Sequence, residues 1–127
     1  MRKKIWTVIF TSALLILLGV VEQKAVRTLT DEAMTQTQTI LQLLKSGQNE
    51  QGLEQARQMD TWWDEKAPMV EVLINHEATD DVRFTLSRLV AALEGEDCEE
   101  ALVFARELEG GIEHVLERQV LSLQNLL

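Results

Sequence analysis

Residues 5 to 21 read IWTVIFTSALLILLGVV, seventeen positions without a charge, behind the basic MRKK and ahead of EQKAVRTLTDE. At 1.5 Å per residue such a run makes a helix of about 26 Å, at the short end of what crosses a bilayer core. It is apolar on every face and starts directly behind a basic tripeptide, which a buried soluble helix does not explain. Arg2, Lys3 and Lys4 stand on one side, so the positive-inside rule keeps that side cytoplasmic and exports the rest of the chain. Trp6 then sits at the inner headgroup level, where an indole is favoured. A cleavable signal ends in small residues two apart, whereas GVVEQKA offers Val20, Val21 and then polar side chains. The expectation is a retained anchor. No cysteine lies in this region, so a lipid-modified N-terminus is excluded.

The chain is accordingly expected to divide into a cytoplasmic basic tail (1–4), a transmembrane signal-anchor helix (5–21) and an extracytoplasmic helical domain (22–127) of a single-pass protein of the cell membrane. Setting aside the three basic residues at positions 2 to 4 leaves nine Lys and Arg against all 21 Asp and Glu. Nucleic acid and bare anionic lipid are poor partners for a domain so acidic. About a hundred residues bury one modest core, and Pro68 is the only proline. Cys98 stands alone, so neither an internal disulfide nor a zinc site on paired cysteines is available. It reads as a helix-terminus residue without a redox role.

From Val26 the positions Val26, Leu29, Ala33, Thr37, Ile40 and Leu44 recur at spacings of three and four up to KSG, one face of a helix. Leu53, Ala56, Met59 or Asp60, Trp63, Ala67, Val70 and Ile74 repeat the pattern up to NHEATDD, where Thr79 or Asp80 is the expected cap of a third helix. That helix uses Val82, Leu86, Leu89, Val90 and Leu93 and stops at GED. Asp97 caps the fourth with Glu100 in the capping-box position, and Ala101, Ala105, Leu108, Ile112, Val115 and Leu116 form its stripe. No stretch alternates with period two. The expected class is all-α: an N-terminal transmembrane helix followed by an antiparallel bundle of two helical hairpins, about four helices. A weak internal repeat agrees with this, since LLKSGQNEQGLEQARQM lies over ALEGEDCEEALVFAREL at an offset of 49. The competing account is chance similarity among amphipathic helices. Two copies at this period do not suggest a solenoid.

Trp63, His76-Glu77, the LSRL at Leu86 to Leu89, GEDCEEAL and the terminal HVLERQVLSLQNLL succeed one another in an order that resembles an uncharacterised bacterial family. This is a family of short membrane-anchored helical proteins known from Bacillota and described only as a domain of unknown function. The resemblance covers nearly the whole chain, with LSLQNLL its most specific piece. It implies an extracytoplasmic helical domain and no established activity.

Chemistry-bearing motifs are few. No HExxH, Gly-rich phosphate loop or EF-hand spacing occurs. A carboxylate-bridged metal bundle needs repeated Glu-x-x-His, yet Leu73 precedes His76 by three and Gly111 precedes His114 by three. If the second helix runs unbroken through Pro68 to His76, then His76 and His114 reach one height, with Glu77, Glu113 and Glu117 nearby. Such a cluster suits a divalent ion or titration near neutral pH. The plainer account makes His76 a helix C-terminal residue facing the macrodipole and His114 a solvated one.

If Pro68 instead breaks that helix, alignment of the two hairpins brings Trp62 and Trp63 level with Gly110 and Gly111. Two glycines inside a helix then imply close packing or a kink. Adjacent tryptophans point about 100° apart, so both cannot face one core. Trp63 fits the stripe, which leaves Trp62 as a candidate partner anchor or a simple edge contact. At the other end, Val120, Leu121, Leu123, Leu126 and Leu127 either finish the bundle against the root of the first helix or dock on a membrane partner or a second copy. The spacing from Val26 to Leu44 also suits a parallel dimer.

These expectations converge on a non-enzymatic, membrane-anchored extracytoplasmic protein that needs no cofactor and acts through protein contacts or self-association at the cell envelope. The alternative is a ligand-sensing or metal-sensing bundle centred on His76 and His114.

Overall fold

The structure, a computed structural model, describes residues 2–71 and 76–126, leaving aside the side chains of Val70 and of residues 118–126. Four helices account for nearly all of it: α1 (Arg2–Lys45), α2 (Asn49–Val70), α3 (His76–Glu94) and α4 (Cys98–Leu126). No strand forms among the described residues. Each helix packs on its neighbours in sequence and α4 closes back on α1, giving an up-down-up-down bundle.

The apolar run and the first bundle helix are one element. α1 spans 44 residues without interruption, about 66 Å at 1.5 Å per residue. Its buried face begins at Val26 and continues through Leu29, Thr30, Ala33, Thr37, Ile40, Leu41 and Leu44. The spacing that also suited a parallel dimer is therefore used within the chain, against α2 and α4. Two pairs fix the α1–α2 register. Thr37 Oγ1 lies 3.7 Å from Met59 Sδ, and a Cβ on Gly52 would stand 2.9 Å from Leu44 Cδ2. Both pairs are antiparallel partners seven residues apart on each helix. Glycine at 52 allows this close approach beside the turn.

The core is continuous from end to end, with Ile40, Met59, Trp63, Leu86, Leu89, Leu108 and Ile112 among its largest fully buried side chains. Its pattern repeats at the offset of 49. Buried Thr30, Ala33, Ile40, Ala56, Met59 and Trp63 correspond to buried Thr79, Val82, Leu89, Ala105, Leu108 and Ile112. The turns repeat as well. Gly47 N donates to Leu44 O and Gln48 N to Leu43 O, as Glu96 N donates to Leu93 O and Asp97 N to Ala92 O. These are the paired bonds of a Schellman ending, and the residue in the left-handed region is Gly47 in one turn and Glu96 in the other. GED thus stops α3 through Glu96, with Gly95 still in the last turn. Asp97 Oδ1 accepts from Glu100 N at 3.2 Å, the expected cap of α4.

Three sequence expectations need correction. α3 starts at His76, ahead of Thr79 and Asp80. Thr79 is fully buried and its hydroxyl donates to His76 O at 2.9 Å, so a cap-type residue is satisfied inside the first turn. Pro68 neither breaks α2 nor lets it reach His76: the helix passes through it and ends at Val70, with Glu71 N donating to Ala67 O. Pro68 has no N–H to donate to Asp64 O, so that one bond is forgone while the helix continues for two more residues. Finally, a Cβ on Gly111 would meet Val82 Cγ2 at 3.8 Å, ordinary contact, and one on Gly110 would meet nothing within 4 Å. The glycine pair does not mark close packing against the tryptophans.

Candidate functional site

The N-terminal half of α1 is the most exposed apolar surface of the chain. Ile5, Trp6, Val8, Ile9, Phe10 and the aliphatic residues from Leu14 to Val21 all face outward, Trp6 at 70 % exposure. Its most apolar 18-residue window has a mean hydropathy of 2.2 and no buried residue, so this helix is long and apolar enough to cross a membrane. The hydroxyls within it are prepared for that setting: Thr7 Oγ1 donates to Lys3 O at 2.9 Å and Thr11 Oγ1 to Thr7 O at 2.7 Å. Each returns its proton to the backbone one turn earlier, which leaves no unpaired hydroxyl donor at these two positions of the exposed apolar face. Arg2, Lys3 and Lys4 are exposed at the start of the same helix.

A second constellation lies between α2 and α3. Arg83 reaches Asp64 at 3.0 Å, Asp80 at 3.2 Å and Glu71 at 3.6 Å. Glu71 also lies 3.4 Å from the Thr79 hydroxyl, as the longer alternative acceptor to His76 O, and 3.7 Å from His76 Nδ1. Half-buried Asp60 sits one turn before Asp64. Burial holds its carboxyl above the ordinary range, Asp64 adds to the rise, and Arg83 opposes it. One cation thus serves several carboxylates along this seam. Sequence reasoning missed the hub because Arg83, Asp64 and Glu71 come together only through the register of two helices; the only local signal was the Asp80–Arg83 spacing of three.

The two tryptophans separate as their 100° offset requires. Trp63 is 1 % exposed and its Nε1 donates to Thr79 O at 3.2 Å. Trp62 is half-buried against the core, its ring 6.3 Å from that of Trp63. His76 opens α3 beside Glu71 and is therefore no helix C-terminal residue; His114 is exposed on α4. Among the described residues no group of three or more His, Cys, Asp or Glu is placed to hold a metal ion, and Glu77, Glu113 and Glu117 do not complete one with the histidines. Cys98 is exposed at the first residue of α4, where Asn49 Nδ2 donates to its sulfur at 2.9 Å. Both histidines lie far from it. The rise from Cys98 to His114 along α4 is about 24 Å, and α3 separates its own start at His76 from the Cys98 turn by about 27 Å. Leu121, Leu123 and Leu126 fall in the last turns of α4, where side chains lie outside the described residues, as does Leu127 altogether.

A family model described as a domain of unknown function (DUF4363) matches residues 20–126, from the end of the apolar run through the whole bundle. No curated protein and no solved structure matches the chain. The fold and the extent of that match agree, and the chain belongs to the DUF4363 family.

Proposed function

We propose that this is a non-enzymatic, single-pass membrane protein whose bundle lies outside the cytoplasm and acts through protein contacts at the cell envelope. The observation that carries the reading is the continuity of α1: its first half is apolar and wholly exposed, its second half is one wall of the bundle, and no break separates them. Such a helix ties the bundle rigidly to the membrane plane. Tethering raises the effective concentration of the domain near membrane partners without any new contact. The orientation rests on Arg2, Lys3 and Lys4 preceding the span. Cys98 and the two histidines lie too far apart along the bundle to form a nucleophile–base pair.

Cys98 provides the test. Intact cells are treated with a membrane-impermeant maleimide and the protein is examined for labelling and for its full mass of 14.4 kDa. Labelling at full mass is expected, and crosslinking from Trp62 and from the α4 tail then identifies the partner. Labelling only after lysis, with accessibility of Cys98 confirmed, would place the bundle inside and overturn the reading.

A further inference from the structure

We propose that the near end of the bundle is itself a lipid-facing surface, seated on the headgroups of the bilayer that α1 crosses. This rests on the anchor reading but not on which side the bundle occupies. The first argument is height. The apolar run ends at Val21 and the core begins at Val26, a rise of only about 7 Å. The headgroup layer on each side of a bilayer core is itself about 5–7 Å thick. Carrying the Thr37–Met59 register toward the membrane puts Met69, near the end of α2, level with Arg27, about 9 Å above Val21. An uninterrupted helix leaves no linker that could hold the bundle farther away.

The second argument is what this end displays. Met69 is 72 % exposed, more than the other two exposed large apolar side chains on the described part of the bundle, Phe84 and Val103, which lie higher on α3 and α4. An outward Met at the membrane end is costly in water and favourable at a lipid interface.

Charge gives the third. Lys24, Arg27 and Lys66 are exposed toward this end among Glu22, Asp31, Glu32, Glu65, Glu71, Glu77 and Glu117, so it offers no basic excess. The opposite end carries Glu50, Glu94, Glu96, Asp97, Glu99 and Glu100 against Lys45 and Arg57, the latter engaged with Glu94 at 2.9 Å. An end of mixed charge without a basic excess fits zwitterionic headgroups rather than anionic ones.

The full chain carrying Cys98→Ser and Met69→Cys is labelled with a fluorophore and reconstituted into phosphatidylcholine vesicles containing a headgroup nitroxide lipid. The natural chain labelled at Cys98 is the distal control. Circular dichroism and vesicle flotation are recorded for both, and Lys66→Cys serves as a second near-end reporter should Met69→Cys disturb folding. Several-fold stronger quenching at the near end than at Cys98 is expected. Chains that float with the vesicles yet quench equally at both ends would overturn the seated surface while leaving the anchor intact. Chains that fail to float would overturn the anchor and the seating together.

Discussion

Asn49 donates its side-chain amide to the sulfur of Cys98 at 2.9 Å, and the two residues are 49 positions apart, the offset that superposes one helical hairpin on the other. Equivalent residues touch at the start of α2 and α4, so the pseudo-two-fold axis of the bundle passes between them. A cysteine at each equivalent position should therefore close across the axis. Asn49→Cys is expected to form an intramolecular disulfide with Cys98 under oxidising conditions. It also removes Asn49 Oδ1, which is buried without a hydrogen-bond partner among the described residues. Chain-entropy arguments give about 4 kcal/mol as the upper range for a loop of this length. Non-reducing electrophoresis and urea unfolding with and without reductant check this; an unchanged midpoint on reduction would mean that the two positions do not meet as described.

The two turns differ at the residue that must adopt a left-handed backbone. Gly47 has φ 78° at no steric cost, whereas Glu96 has φ 57° with a side chain attached. An L-residue there costs about 1–2 kcal/mol, so Glu96→Gly should stabilise the bundle by about 1 kcal/mol. The reciprocal change Gly47→Glu should destabilise by a similar amount, adding charge to an already acidic end. Equilibrium urea unfolding of the full chain in detergent distinguishes the pair, and opposite signs are the required result.

At the middle of the core the hairpins diverge again, Trp63 in one matching Ile112 in the other. Trp63 fills the seam and binds Thr79 O through its indole nitrogen. Trp63→Phe keeps most of the volume and loses that bond, for an expected loss of about 1–2 kcal/mol. Trp63→Ala opens a cavity and should cost about 3–5 kcal/mol. Trp62→Ala, at a half-buried edge, should cost less than Trp63→Ala. If both alanine variants lower the unfolding midpoint equally, the division of roles between the two rings is wrong.

The legible part of the fold is the part that periodicity encodes. Spacings of three and four marked one buried face on each helix, and Ala33, Ile40, Ala56, Trp63, Leu86, Leu108 and Ile112 were found where their spacing placed them. The internal repeat was visible only as scattered identities, because what recurs is the buried position and not the residue or its size: Thr37 stands where the second hairpin has Leu86, and Trp63 where it has Ile112. The start of α3 was misplaced since Thr79 and Asp80 look like caps, whereas Thr79 turns its hydroxyl back to His76 O and its methyl into the core. The Arg83 hub was not legible at all. Periodicity fixes which face of a helix is buried but not the axial offset between two helices, and Arg83 meets Asp64 and Glu71 only through that offset.

The same hub gives a pH-dependent prediction. Burial and neighbouring Asp64 raise the Asp60 carboxyl above its ordinary 3.8, with Arg83 partly offsetting them. A carboxyl whose pKa is higher folded than unfolded binds its proton more tightly in the native state. Its ionisation therefore opposes folding at neutral pH, and stability is regained as pH falls from the raised value to about the ordinary one. Asp60→Asn, which mimics the protonated form, should be more stable than the natural chain at pH 7, and its advantage should vanish below the ordinary carboxylate range. Comparing the two chains at each pH cancels the other carboxylates. Arg83→Met, which places at 83 the residue found at the equivalent position Met34, removes the cation that opposes the rise at Asp60 and takes the guanidinium away from Asp64 and Glu71. It should destabilise at pH 7 and do so less in acid, where the carboxylates it leaves behind are neutral. Urea midpoints for the three chains from pH 3 to pH 8 decide the matter: an Asp60→Asn advantage that does not shrink with falling pH would show that ionisation of Asp60 is not what opposes folding.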